Sequence, residues 1–308
     1  MGNYKPEGIH WEVKNDNAIE KVKEAMKKGD ILEAKVLKSD EKLNTYLDLG
    51  DNITAIIPYD EIEYSYNNTR TKSVAIMSKV GKSVKFKVTS IDESGDKPLV
   101  HCSRAAAQKD CYENFVSKLT PGDIIQAHVT HIESYGIFCD IGCGLIALLP
   151  IENVSITRIV NPKSSLRTWK DMFAVVKSID SDGRITLTHK ELLGTWEEEV
   201  AKFKVGEVVP GVVRTIEDYG VFISLSQNLS GLAESNKAVM IDDKVNVYIK
   251  EINRETMKIK LAIVTSETLD PDYVSKVKFT YKQKHGHISE WQYSPDSSSK
   301  YIGTKFDK

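Results

Sequence analysis

Long apolar stretches are missing from this sequence: no run among its 308 residues approaches the roughly 18 apolar residues that a helix needs to cross a bilayer. A helical membrane protein is therefore not expected. The opening stretch, MGNYKPEGIHWEVKN, has neither an apolar core segment nor a small-residue cleavage site, so no secretory signal is read there. Pro6 stands where a myristoylation signal requires Ser or Thr, and the expected location is cytoplasmic.

Cysteine is scarce. The four thiols, Cys102, Cys111, Cys139 and Cys143, form no Cys-x-x-Cys pair, which points to reduced side chains and away from a zinc site, with Cys139 read as core. Excess charge is also absent, because 42 Lys and Arg stand against 44 Asp and Glu for a net charge of −2. That balance lacks the strongly basic footprint common in nucleic-acid-binding domains, yet single-strand binders can work by stacking over aromatic rings with only local positive charge. The histidines are scattered, and parity puts His128 and His131 on opposite faces of a strand. No catalytic dyad, metal site or cofactor follows from them, so the chain is not expected to be an enzyme.

What the sequence does contain is an internal repeat. Three segments open alike, at Lys28-Gly29-Asp30-Ile31, Pro121-Gly122-Asp123-Ile124 and Val205-Gly206-Glu207-Val208. Each leads into an alternating strand; Ile125, Ala127 and Val129, for example, share one face while Gln126, His128 and Thr130 share the other. Helix-like sequence precedes each opening. In the third such linker, Leu193, Trp196, Val200 and Phe203 recur at three- and four-residue spacing, making one face able to dock on a neighbouring barrel.

The expected organisation is an amino-terminal extension with a helix (1–27), a degenerate barrel (28–104), a linker helix (105–120), a second barrel (121–189), a second linker helix (190–204), a third barrel (205–266) and a carboxyl-terminal tail (267–308). The fold class is all-β.

Repeats two and three turn through Tyr135-Gly136-Ile137-Phe138 and Tyr219-Gly220-Val221-Phe222, where glycine suits a barrel corner. By strand period Phe138 and Phe222 fall opposite the apolar faces. Tyr46 falls likewise in repeat one, which has Leu43-Asn44 in place of Tyr-Gly. One exposed ring is ordinary, but three at equivalent points favour stacking on bases over merely covering a barrel mouth. The closing strand pairs turn through short polar segments and carry cations, Arg184 in repeat two with Lys258 and Lys260 in repeat three, on the solvent face. Such cations also guard exposed strand edges.

These motifs resemble the S1 RNA-binding domain, a branch of the five-stranded OB-fold. The likeness is carried by Gly122, Ile132-Glu133-Ser134-Tyr135-Gly136-Ile137-Phe138 and Asp180-Ser181-Asp182-Gly183-Arg184. In repeat three it is carried by Gly206, the Ile216 to Phe222 segment and Gly231-Leu232-Ala233-Glu234-Ser235. It implies tandem five-stranded barrels joined by short linker helices, with Tyr135, Phe138, Asp180 and Arg184 on the RNA face of repeat two. In repeat three, Tyr219, Phe222, Asn253 and Lys258 take those places. The family's histidine is missing throughout, replaced by Pro58, Pro150 and Glu234. Repeat one, without the Tyr-Gly turn or the basic residue, is expected to be a structural or protein-contacting barrel.

The tandem array is similar to the ribosomal members of that family. This implies a bacterial messenger-RNA binder in translation, with single-stranded RNA and the small ribosomal subunit as partners and no membrane, cofactor or small-molecule substrate. The competing expectation is a scaffold that delivers RNA to a separate decay or processing enzyme, using the Tyr59 to Thr71 insertion. The tail from Thr268 lies outside the repeat. It is expected to be a flexible end, to add a strand at Val277 to Lys282, or to touch RNA through Lys282, Lys284, Trp291 and Tyr301.

Overall fold

The computed structural model describes residues 4–8, 18–50, 53–64, 73–159, 162–166, 170–235, 238–267 and 280–306. It divides into two compact units: Met1–Leu119 with Gln126–His128 and Asp140–Ile146, and Thr120–Ile125 with Val129–Cys139 and Ala147–Lys308. No described helix is long and apolar enough to cross a membrane.

Helix α1 (Ala18–Lys28) precedes strands β1 (Leu32–Ser39), β2 (Thr45–Leu47) and β3 (Thr54–Ile57), short helix α2 (Ser73–Met77), then β4 (Ser83–Asp92) and β5 (Leu99–Ser103). The strands close in the order β1-β2-β3-β5-β4, with β3 and β5 parallel. Alternation supplies the core, since Val36, Leu47, Ile57, Phe86, Val100 and Cys102 all point inward, and Val22 of α1 packs against them. Helix α3 (Arg104–Asn114) follows directly. Its first turn is capped by Ser103, whose Oγ accepts from the Ala106 amide.

The second barrel repeats the plan with β6 (Ile124–Glu133), β7 (Gly136–Gly142), β8 (Leu145–Pro150), short helix α4 (Pro162–Ser165), β9 (Asp171–Ile179) and β10 (Ile185–Thr188), closing as β10-β8-β7-β6-β9. After helix α5 (Trp196–Val200) come β11 (Val208–Glu217), β12 (Gly220–Ser224), β13 (Ser230–Ala233), β14 (Lys244–Asn253) and β15 (Lys258–Glu267), closing as β11-β12-β13-β15-β14. The architecture is all-β: three closed five-stranded barrels, as tandem OB folds require. All four cysteines are buried and none forms a disulfide.

The linker between the last two barrels is not the single helix expected over 190–204. A 3-10 turn at Lys190–Leu192 ends at Gly194, whose φ of +98° leaves the helical region. A new start follows, where Thr195 and Glu198 form a reciprocal capping box for α5. The amphipathic face is real despite the break, since Trp196 and Val200 belong to the core of the third barrel.

The tail likewise departs from a flexible end. Strands β16 (Glu290–Gln292) and β17 (Gly303–Lys305) form a hairpin, and Trp291 and Tyr293 are buried with Val213, Ile249 and Leu261 of the third barrel. Apolar burial therefore removes Trp291 from the set available to RNA. The expected strand at Val277 to Lys282 lies mostly outside the described residues, as does most of the Tyr59 to Thr71 insertion.

His189 follows β10 in the second unit and is fully buried, donating from Nδ1 to the Val154 carbonyl at 2.8 Å and meeting Tyr281 edge-on at 5.6 Å between ring centres. Burial pushes its pKa from 6.5 down to about 4, against a small upward pull from the Val154 carbonyl. As the pH falls between those two values, the unfolded chain takes up a proton that the folded chain refuses, so stability drops. Above 6.5 the effect is flat. The full loss is roughly 3 kcal/mol at 1.36 kcal/mol per pKa unit. Urea titrations across this window should show a shallower pH slope for His189→Gln than for the unsubstituted chain; equal slopes would assign the acid sensitivity elsewhere.

Candidate nucleic-acid interface

In the second and third barrels the site begins at a two-residue turn. Strand β6 ends at Glu133 and β7 begins at Gly136; β11 ends at Glu217, paired with Gly220 at the start of β12. A Cβ on Gly136 would lie 2.8 Å from the Leu149 carbonyl oxygen, and one on Gly220 would lie 2.5 Å from that of Ala233. Close approach of the next strand, more than a bend, is what reserves both positions for glycine.

The aromatic residues flanking these glycines adopt one geometry twice. Tyr135 is 57% exposed and stands perpendicular to the half-buried Phe138, with ring centres 6.1 Å apart and planes at 89°. Tyr219 is 68% exposed and meets Phe222 at 6.2 Å and 88°. Edge-to-face contact holds each pair in place, stabilising it by about 0.5–1.5 kcal/mol beyond area burial and leaving ring surface open to solvent.

The β9–β10 and β14–β15 hairpins position the polar residues. Asp180 Oδ1 accepts from the backbone amides of Asp182 and Arg184, at 2.9 and 2.8 Å, so its carboxylate shapes the β9–β10 turn. Arg184 leaves that turn with a side chain 74% exposed, 3.8 Å from Asp182. Asn253 does the same between β14 and β15, its Oδ1 accepting from the Thr256 amide and hydroxyl at 2.9 and 2.8 Å. The exposed Lys258 is its cross-strand partner. Asp92 of the first barrel repeats the device, accepting from the Ser94 amide at 2.9 Å. The acidic or amide residue thus builds the turn, and the cation is the group that the turn presents.

Tyr46, the counterpart on β2, is differently placed. Its hydroxyl donates to Asp40 at 3.3 Å, and Lys38 Nζ sits 4.9 Å from the ring centre. Burial and the Asp40 charge raise its hydroxyl pKa. One face of this ring is already covered by the chain's own ammonium group, a cation–π contact.

A group that sequence parity missed is His131. Its ring centre lies 6.3 Å from that of Phe138 with planes 30° apart, and its Nε2 is 2.6 Å from Glu133 Oε1. Thr130 and His131 are both exposed, which breaks the alternation of β6. The corresponding place in β11 carries a bulge between Val213 and Thr215. In the sequence the sign is two polar residues in succession, Thr130 and His131, near the end of an alternating strand. Among the described residues no group of three or more His, Cys, Asp or Glu could hold a metal ion.

Among the described residues, three closed five-stranded barrels, two of them bearing an exposed Tyr–Phe pair, define a tandem array of OB-type barrels. Residues 118–190 match the family model of the S1 RNA binding domain, so the second barrel is an S1 domain. Curated relatives include the small ribosomal subunit protein bS1 of Streptococcus pneumoniae, 26% identical over 56% of this chain and 45% of that protein. The bS1 of Chlamydia muridarum is 24% identical over 89% of this chain and 46% of its own length. A 4-hydroxy-3-methylbut-2-enyl diphosphate reductase from Clostridium acetobutylicum is also similar, at 24% identity over 85% of this chain and 48% of that enzyme. The chain spans a little under half the length of these relatives.

Proposed function

We propose that this chain is a non-catalytic, cytoplasmic binder of single-stranded RNA that acts in translation as a messenger-RNA-holding protein at the small ribosomal subunit. The observation that carries the reading is the exposed Tyr–Phe pair built twice with nearly the same geometry, in two barrels whose closing hairpins each present an exposed cation. Likeness to bS1 proteins supports the ribosomal part of the proposal. Rings that stack on any base, with few fixed cations, suit unspecialised single-strand binding and agree with a net charge near zero.

The first barrel has a separate part. With Lys38 over Tyr46 and the hydroxyl held by Asp40, its ring is less open to a base, which favours a protein-facing role there.

Fluorescence titration of the full chain with poly-U and with duplex RNA at two salt concentrations tests the reading. Poly-U should bind more tightly, with a log–log salt slope of about −1.4 to −2.1, as two or three phosphate contacts at about −0.7 each imply. Tight duplex binding with a steep slope would contradict it, because shape recognition of A-form RNA uses phosphates and 2′-hydroxyls rather than stacked bases.

A further inference from the structure

We propose that His131 is a third ring of the contact in the second barrel, lying beside Phe138 so that this barrel holds a larger part of the strand than the third barrel does. The inference rests on reading this face as an RNA contact. The imidazole side chain is 60% exposed, as a group meant to meet a ligand must be, yet it is not loose. Glu133 Oε1 holds its Nε2 at 2.6 Å, and Lys163, on α4, holds the other carboxylate oxygen at 3.2 Å. Those hydrogen bonds, from His131 first and then Lys163, keep the Glu133 carboxyl below its ordinary range, so the carboxylate persists as an anchor. A ring already oriented loses less conformational freedom when a ligand lands on it.

The arrangement runs Tyr135, Phe138, His131. Phe138 is the central ring, with Tyr135 perpendicular at 6.1 Å and His131 inclined by 30° at 6.3 Å. A base on Phe138 therefore has an imidazole alongside it, able to stack on a neighbouring base or pack against its ribose.

The other barrels show what this position controls. In the first barrel Lys38 is the cross-strand partner of Tyr46 and sits over its ring. In the third, Thr215 partners Phe222 and adds no ring. His131, two residues before the end of β6 as Thr215 is before the end of β11, has the same place relative to Phe138. One register position thus leaves the aromatic face covered, bare or extended.

The test is a fluorescence anisotropy titration of the full chain with labelled oligo(U). His131→Ala should weaken binding by about 5-fold or more, the low end of a single stacking contact. His131→Phe should restore affinity to within about 2-fold, and the salt slope should be unchanged in both variants, because stacking releases no counterions. Far-UV circular dichroism of both should match the unsubstituted chain. As a readout without substitution, the His131 ring resonances should shift on adding oligo(U).

If Tyr135→Ala or Phe138→Ala weakens binding while His131→Ala does not, the RNA reading stands and this inference falls. If none of the three changes affinity, both fall. His131→Phe binding as poorly as His131→Ala would overturn a stacking role for the ring.

Discussion

Alanine at Phe138 and Phe222 together is expected to lower the affinity of the full chain for single-stranded RNA by about 30-fold or more. A stacked base is stabilised by roughly 1–3 kcal/mol, so two lost stacks amount to about 2–6 kcal/mol where one strand spans both barrels, each 1.4 kcal/mol being tenfold. The substitution leaves the cores in place. Ile137 and Cys139 on β7, and Val221 and Ile223 on β12, carry the packing, and all four are fully buried. Each single variant should give part of the loss, and the double variant more than either, because two weak sites on one strand reinforce each other through effective concentration. Unchanged affinity in the double variant, with an unchanged circular dichroism spectrum, would remove the aromatic faces from the RNA contact.

The second large effect concerns stability. Glu7→Gln is expected to destabilise the first unit by about 3–5 kcal/mol, the range for removing one partner of a buried ion pair. Arg104 is 1% exposed, and Glu7 accepts from its Nε at 2.7 Å and from its Nη2 at 3.0 Å. The same carboxylate accepts from the Lys85 amide at 3.0 Å, while the Glu7 amide donates to Asp140 Oδ2 at 2.7 Å. Burial alone would raise the Glu7 pKa, but the Arg104 charge and hydrogen bonds outweigh it and hold the acid ionised. Asp140 responds oppositely, pushed up to about 7 by burial and the adjacent Glu7 carboxylate.

Neutralising Glu7 therefore leaves a buried guanidinium that donates to the Ile62 carbonyl at 3.2 Å, with the nearby Glu63 and Asp140 carboxyl groups acting on its charge. A urea titration followed by circular dichroism measures the loss. The exposed pair Glu24 and Lys28 is the control, and its removal should change little. A shift in Glu7→Gln no larger than that of Glu24→Gln would mean that the buried pair adds nothing net.

Much of the fold was legible because its determinants are local. The period of two along β7 and β12 depends on neighbouring residues alone, and it placed Phe138 and Phe222 opposite the core. Glycine-opened strands and short polar turns are equally local, which is why the barrels could be read from three similar beginnings. Parity stopped at the Tyr-Gly turns: Tyr135 and Tyr219 precede a glycine that breaks the count, and only packing against Phe138 and Phe222 fixes their direction. It failed at His131 because two exposed residues in succession shift the alternation, so parity puts the ring on the apolar face while the structure leaves it exposed.

What the sequence determined by itself was the number of barrels, their strand order in the chain and the aromatic side of each second strand, all carried by patterns a few residues long. Only the tertiary structure decided which residues meet across large separations. Glu7 finds Arg104 across 97 positions, and the Tyr293 hydroxyl donates to the Asn228 carbonyl across 65, burying a tail that composition alone reads as loose. Pairings of that kind are set by barrel closure and by the requirement that buried charge and polar groups find partners, and neither leaves a periodic trace in the sequence.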